Sequence, residues 1–148
     1  MERANEISIS YKQNRKEDDV LKISSSYDAN RILFNSWDHE NIELFETFKI
    51  VLLSNDNVVK GISTLSTGGL TGTLVDIRIL FSIALKTLST GIILAHNHPS
   101  GKLKPSDSDI RLTQKISKAG DLLDIKVLDH LIICPNNEYF SFADNGLI

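Results

Sequence analysis

The sequence predicts a single α/β domain. Its 148 residues suffice to bury one core without staples. Strand-like and helix-like segments alternate along most of the chain. Near the middle, the short β-branched run Gly91-Ile92-Ile93-Leu94 reads as a strand buried on both faces, and it leads through a loop into a helix start.

Residues 5–11, Asn-Glu-Ile-Ser-Ile-Ser-Tyr, alternate apolar and polar side chains and read as an edge strand. Lys12 to Asp19 carries both signs of charge, as a solvated connector does. The chain thus divides into an N-terminal strand and charged loop, residues 1–23, and a domain over residues 24–148. Ser24-Ser25-Ser26 offers several N-caps for a helix through Ala29, Ile32 and Leu33 towards Trp37. Trp37 shares the face of Leu33, four residues earlier, and is expected in the core.

Phe48 to Leu53 and Val58 to Leu65, around Asn55-Asp56-Asn57, predict a hairpin. The glycines of Ser66 to Thr73 fit a turn or bulge; no Gly-Lys-Ser/Thr follows, which excludes a phosphate loop. Asp76 is expected to begin a helix burying Ile79, Leu80, Ile83, Ala84 and Leu88. After the central strand, Ser106 opens a third helix with Ile110, Thr113 and Ile116 inward, and Gly120 is its expected terminator. Ile125 to Leu128 and Leu131 to Cys134 are strand-like, Pro135-Asn136-Asn137 is a turn, and Tyr139 to Phe142 is a last strand.

Composition narrows the function. With 41% hydrophobic residues and a net charge of −3, the chain has a globular balance and no basic footprint, so charge does not support a nucleic-acid partner. No apolar run approaches membrane-spanning length, and no signal-peptide core follows Met1-Glu2-Arg3-Ala4. A cytoplasmic protein without membrane association is therefore expected. Cys134, the single cysteine, lies in an apolar run and reads as a buried, inert thiol. Nothing in the sequence sets the oligomeric state.

The chemistry concentrates between Ala95 and Asp109. His96 and His98 stand two apart at the end of the central strand, so both imidazoles point to one side and can converge. Asp109 falls in the first turn of the following helix, beside the returning loop. These three would leave a fourth tetrahedral position for water, the pattern of a catalytic zinc site. Ser106-x-x-Asp109 is equally a helix-start signal in its own right. Asp107 competes with Asp109 for the ligand role. His130 interrupts an apolar run and reads as a satisfied core histidine.

The run His96-Asn97-His98 through Ser106 and Asp109 resembles the signature of the JAB/MPN metalloprotease-like family, also called JAMM. His-Asn-His-Pro-Ser-Gly from His96, with Leu128-Asp129-His130-Leu131-Ile132-Ile133, is similar to the RadC branch. The likeness covers about Glu46 to the C-terminus. It implies a cytidine-deaminase-like mixed sheet with helices on both faces and one zinc per chain on His96, His98 and Asp109. It also implies that a glutamate ahead of a core strand, here Glu46 with Glu43 as competitor, acts as general acid/base. Ser106 would steady the oxyanion. The RadC pattern has Arg-Glu near the second helix start, whereas Arg78 is followed by Ile79 here, so no role for an acid is carried over to that place.

The implied reaction is hydrolysis of a peptide or isopeptide amide in a peptide or protein substrate. Two other classes stay open: a metal-dependent DNA-processing or repair accessory, and a non-catalytic MPN interaction scaffold. All three ligand positions are filled, which disfavours the scaffold. The acidic balance disfavours contact with a DNA backbone.

Overall fold

The computed structural model describes residues 1–14, 16, 19–68 and 74–148. Eight elements follow in order: α1 (Ser26–Ser36), β1 (Thr47–Leu53), β2 (Val59–Thr67), α2 (Ile77–Lys86), β3 (Gly91–Asn97), α3 (Asp107–Leu122), β4 (Lys126–Ile133) and β5 (Tyr139–Ser141). The strands form one mixed sheet in the order β2-β1-β3-β4-β5. Only β3 and β4 run parallel, and α3 is the crossover between them.

Helices cover both faces. On one, Ala29, Ile32, Leu33 and Trp37 from α1 and its end pack on Val51, Leu53, Ile93, Ala95, Leu131 and Ile133. On the other, Leu80, Phe81 and Ala84 of α2 and Ile116 of α3 pack on Phe48, Ile50, Ile92, Leu94 and Val127. Two-residue alternation along the strands assigns each side chain to its face. All seven residues of β3 are buried, as its continuous apolar run requires of a strand covered on both sides.

The caps follow the sequence. Ser25 accepts from the Asp28 amide, and Asp76 from that of Arg78. Asn57 turns the β1–β2 hairpin with a φ of 58°, a left-handed conformation that asparagine tolerates. Cys134 is buried and free, and burial pushes its thiol pKa up.

Four expectations are corrected. Residues 5–11 form no strand: Ile7 and Ile9 are 88% and 76% exposed, and alternation has no force where no sheet face lies beneath it. The ordered approach to the sheet begins later, where Lys22 bridges Val58 and Ile23 enters the core. Ile79 and Leu88 are exposed rather than buried: Ile79 lies in the first turn of α2 outside the face that buries Leu80, Phe81 and Ala84, and Leu88 falls beyond the helix end at Lys86, where it turns out with a φ of 52°. Gly120 lies inside α3, where an added Cβ would stand 2.3 Å from the Ile125 carbonyl oxygen; it permits close approach and does not end the helix. Finally, the two strand-like segments around Asp129-His130 are one strand, β4, with a register shift opposite Ile92/Ile93.

Of the expected charged connector, Arg15, Glu17 and Asp18 lie outside the described residues, as do Gly69 to Thr73 of the expected glycine turn. Among the described residues, no helix is long and apolar enough to cross a membrane.

Candidate metal centre

Three segments deliver polar groups to one point: the exit of β3, the first turn of α3 and the residue ahead of β1. β1 pairs antiparallel with β3 so that Phe48 lies opposite His96, and Glu46, two residues before Phe48, falls on the same face. His96 is buried and His98 only partly so. Their Nε2 atoms lie 3.0 Å apart. Asp109 Oδ2 stands 3.4 Å from His96 Nε2 and 3.6 Å from His98 Nε2. Glu46 Oε1 stands 3.8 Å from His96 Nε2.

Each group is held from behind. The His98 ring places Nδ1 2.6 Å from the Lys102 carbonyl, across a turn in which Gly101 adopts a φ of 77° and donates to the His98 carbonyl. Since a carbonyl only accepts, this contact puts a proton on Nδ1 and turns Nε2 towards His96. Asp109 accepts the Ser106 amide at Oδ2 (2.9 Å), while its own amide donates to Ser106 Oγ (3.0 Å). The two readings of Ser106-x-x-Asp109 therefore coexist: the capping box holds the carboxylate that faces the histidines.

Asn97, between the two histidines, points to the opposite face and is fully buried. Its Nδ2 donates to the Ile42 and Phe45 carbonyls, both at 2.8 Å, and its Oδ1 accepts the Thr47 amide at 2.7 Å. Those three bonds fix the segment that carries Glu46. The sequence reading gave Asn97 no role of its own: the two-residue period of the strand sets its direction but not its partners.

A second polar string escaped that reading. His96 Nδ1 lies 2.7 Å from His130 Nε2, and His130 Nδ1 lies 2.6 Å from Thr113 Oγ1, which donates to the Asp109 carbonyl at 2.7 Å. His130 is wholly buried, stacked on Phe142 and edge-on to Phe48. The expectation of a satisfied core histidine holds, but one of its partners is His96.

Burial opposes charge on Asp109, yet the adjoining His96 and His98 rings and the Ser106 amide override it and hold the carboxyl well below the ordinary range. Burial likewise depresses His98, but the Asp109 carboxylate and the Lys102 carbonyl outweigh it and raise its pKa above the usual histidine value. Burial drives His130 far below that value, reinforced by the neighbouring His96.

The donor set fits a zinc ion. Tetrahedral ligands about 2.0–2.1 Å from zinc stand roughly 3.3–3.4 Å apart. The two nitrogens and the Asp109 oxygen, at 3.0, 3.4 and 3.6 Å, form a triangle of that size. Among the described residues Glu46, His96 and His98 also form a group whose ligand atoms all lie within 4.8 Å, so Glu46 is the alternative carboxylate. Beside the centre opens a cleft of about 670 Å³, lined in part by Glu43, Glu46, His98, Lys102 and Ser106. Glu43 is exposed on its wall, whereas Glu46 is half-buried.

Comparison with known proteins bears on the same segments. The model of the RadC-like JAB domain matches residues 23–147. A UPF0758 protein of Flavobacterium johnsoniae is 43% identical over 91% of this chain and 58% of its own length. UPF0758 proteins of Porphyromonas gingivalis and Desulfitobacterium hafniense are 45% and 46% identical, each over 70% of this chain and 45% of their own. The chain spans about half the length of these curated relatives, and their names state no activity. With the mixed sheet, the helices on both faces and the cluster at the β3–α3 junction, the match makes this chain a member of the RadC-like JAB domain family.

Proposed function

We propose that the chain is a zinc-dependent hydrolase that cleaves a peptide or isopeptide amide, with His96, His98 and Asp109 holding one zinc ion. The observation that carries this reading is the triangle of two imidazole nitrogens and one carboxylate oxygen beside an open cleft. When bound, zinc supplies Lewis acidity, which polarises a carbonyl and brings the pKa of water from about 9 for the aqueous ion towards 7.

The chain's own residues supply the rest. Glu46, half-buried beside the centre, takes a proton from the attacking water at a carboxylate oxygen and returns it to the leaving nitrogen. Ser106 lines the cleft, and its oxygen accepts the Asp109 amide, so its hydroxyl proton remains available to the substrate oxyanion. His96, 1% exposed, walls the centre off from the protein interior, and the cleft admits substrate from the other side.

The purified chain should contain about one zinc per molecule, lost to a strong chelator together with hydrolysis of a peptide and isopeptide panel, and both should return on adding zinc. A zinc-loaded protein that cuts DNA but no amide overturns the substrate class. One that binds no zinc overturns the centre.

A further inference from the structure

The contacts behind the metal-facing ligands form a one-way line of hydrogen bonds. It starts at the Asp109 carbonyl, which can only accept, so the Thr113 hydroxyl must spend its single proton there. Thr113 Oγ1 is then an acceptor towards His130, and His130 Nδ1 carries the proton of that 2.6 Å contact. A second proton on His130 would place a charge in a fully buried site between Phe48 and Phe142, without a carboxylate in contact. His130 Nε2 is therefore a bare acceptor, and His96 must donate to it from Nδ1.

We propose that His130 and Thr113 are positioning residues that lock His96 in the tautomer protonated at Nδ1, keeping Nε2 unprotonated towards the metal. The Asp109 carbonyl at the start of the line belongs to the residue whose carboxylate faces the same metal. One string of three hydrogen bonds thus ties the strand-borne ligand to the helix-borne one from behind and sets the proton on the first by the fold of the second. Partners of this kind are worth about 10–100-fold in metal affinity. The inference rests on the zinc reading above, but its first readout needs no metal.

The experiment measures imidazole nitrogen chemical shifts in the metal-free protein and, separately, the zinc Kd by chelator competition. In the wild type, His96 should show a protonated Nδ1 and a bare Nε2. Thr113→Val keeps the shape but removes the hydroxyl, and His130→Leu removes the acceptor. Both should shift His96 towards a mixture of tautomers and weaken zinc by about 10–100-fold. Thr113→Ser restores the hydroxyl and should restore both readouts. His130→Gln retains an acceptor where Nε2 stood and should bind zinc more tightly than His130→Leu.

A wild-type His96 protonated on Nε2 overturns the proposal. So do unchanged tautomer and Kd in Thr113→Val and His130→Leu, or equal losses in His130→Gln and His130→Leu. Failure of the wild type to bind zinc would count against the metal centre, while the metal-free spectra would still decide the tautomer.

Discussion

Ser106 and Asp109 cap each other across the first turn of α3, and the Asp109 oxygen that receives the Ser106 amide is the one nearest His96 and His98. A device that starts a helix therefore also sets the position of a candidate ligand carboxylate. Asp107, two residues earlier, points about 200° away around the helix. Asp109→Asn should weaken zinc binding by at least tenfold in a chelator competition, and Asp107→Asn should leave it unchanged. The reverse order would show that Asp109 acts only as a cap.

Glu46 and Glu43 both reach the cleft, but of the two it is Glu46 that stands within 4 Å of a candidate ligand nitrogen, at 3.8 Å from His96 Nε2. Glu46→Gln keeps the size and loses the basic oxygen. It should retain zinc and melting temperature while hydrolysis falls by about 10²–10⁴-fold. Glu43→Gln should be active. Loss of zinc in Glu46→Gln would instead make Glu46 a ligand.

Asn97→Asp replaces the amide that donates to the Ile42 and Phe45 carbonyls with an oxygen facing both. Each unpaired buried acceptor costs about 1–3 kcal/mol. Urea unfolding should show a loss of at least about 2 kcal/mol, and hydrolysis should fall more than zinc affinity, because the tether holds the Glu46 segment.

Gly120→Ala sets two effects against each other. Alanine is favoured over glycine in a helix by about 1 kcal/mol. The new methyl would meet the Ile125 carbonyl oxygen at 2.3 Å, and a backbone atom cannot swing aside as the end of a flexible side chain can. Forced overpacking costs about 1–3 kcal/mol, so the variant should be less stable than the wild type. A rise in melting temperature would refute the close approach.

Asp129 gives a pH signature. Burial raises its carboxyl pKa above 3.8, against the hydrogen bonds from Ser141 Oγ and the Ala143 and His130 amides. The folded state holds that proton more tightly than the unfolded one. The resulting contribution is present in full below pH 3.8 and is lost as pH rises through the raised value. Asp129→Asn can still accept the two amides at Oδ1 and has no charge to bury. Its stability relative to the wild type should therefore improve as pH rises from about 3 to neutrality. A pH-independent difference would show that Asp129 does not titrate differently on folding.

Much of this site was legible because its groups lie close in sequence. Strand period brought His96 and His98 together, and helix-start chemistry placed Asp109 in the first turn of α3. Family resemblance placed Glu46, and the register of Phe48 with His96 gives a physical reason for its position. What pattern could not supply were contacts between distant segments: Asn97 to Thr47, and His130 to both His96 and Thr113. Thr113 reads as one inward helical position among three, and only packing shows that its hydroxyl is used. The misjudged ends had the same cause, since the exposure of Leu88 and Ile7 depends on where a neighbour stops and not on their own spacing.

The tether from Asn97 to the segment ahead of β1 also acts as a check on strand register. The candidate ligands His96, His98 and Asp109 lie within residues 96–109, a strand end, loop and helix start whose closure costs little chain entropy. Glu46 arrives from 50 residues up the chain, the separation that the Thr47–Asn97 bond spans, and only through the antiparallel pairing of β1 with β3. A slip of one residue in that pairing would turn Glu46 to the opposite face. It would also leave the Asn97 amide facing groups of the wrong sort. A mispaired chain would keep the triangle of His96, His98 and Asp109 but lose Glu46 from its side, so on the proposed reading metal loading would report on one corner of the molecule and turnover on the whole sheet.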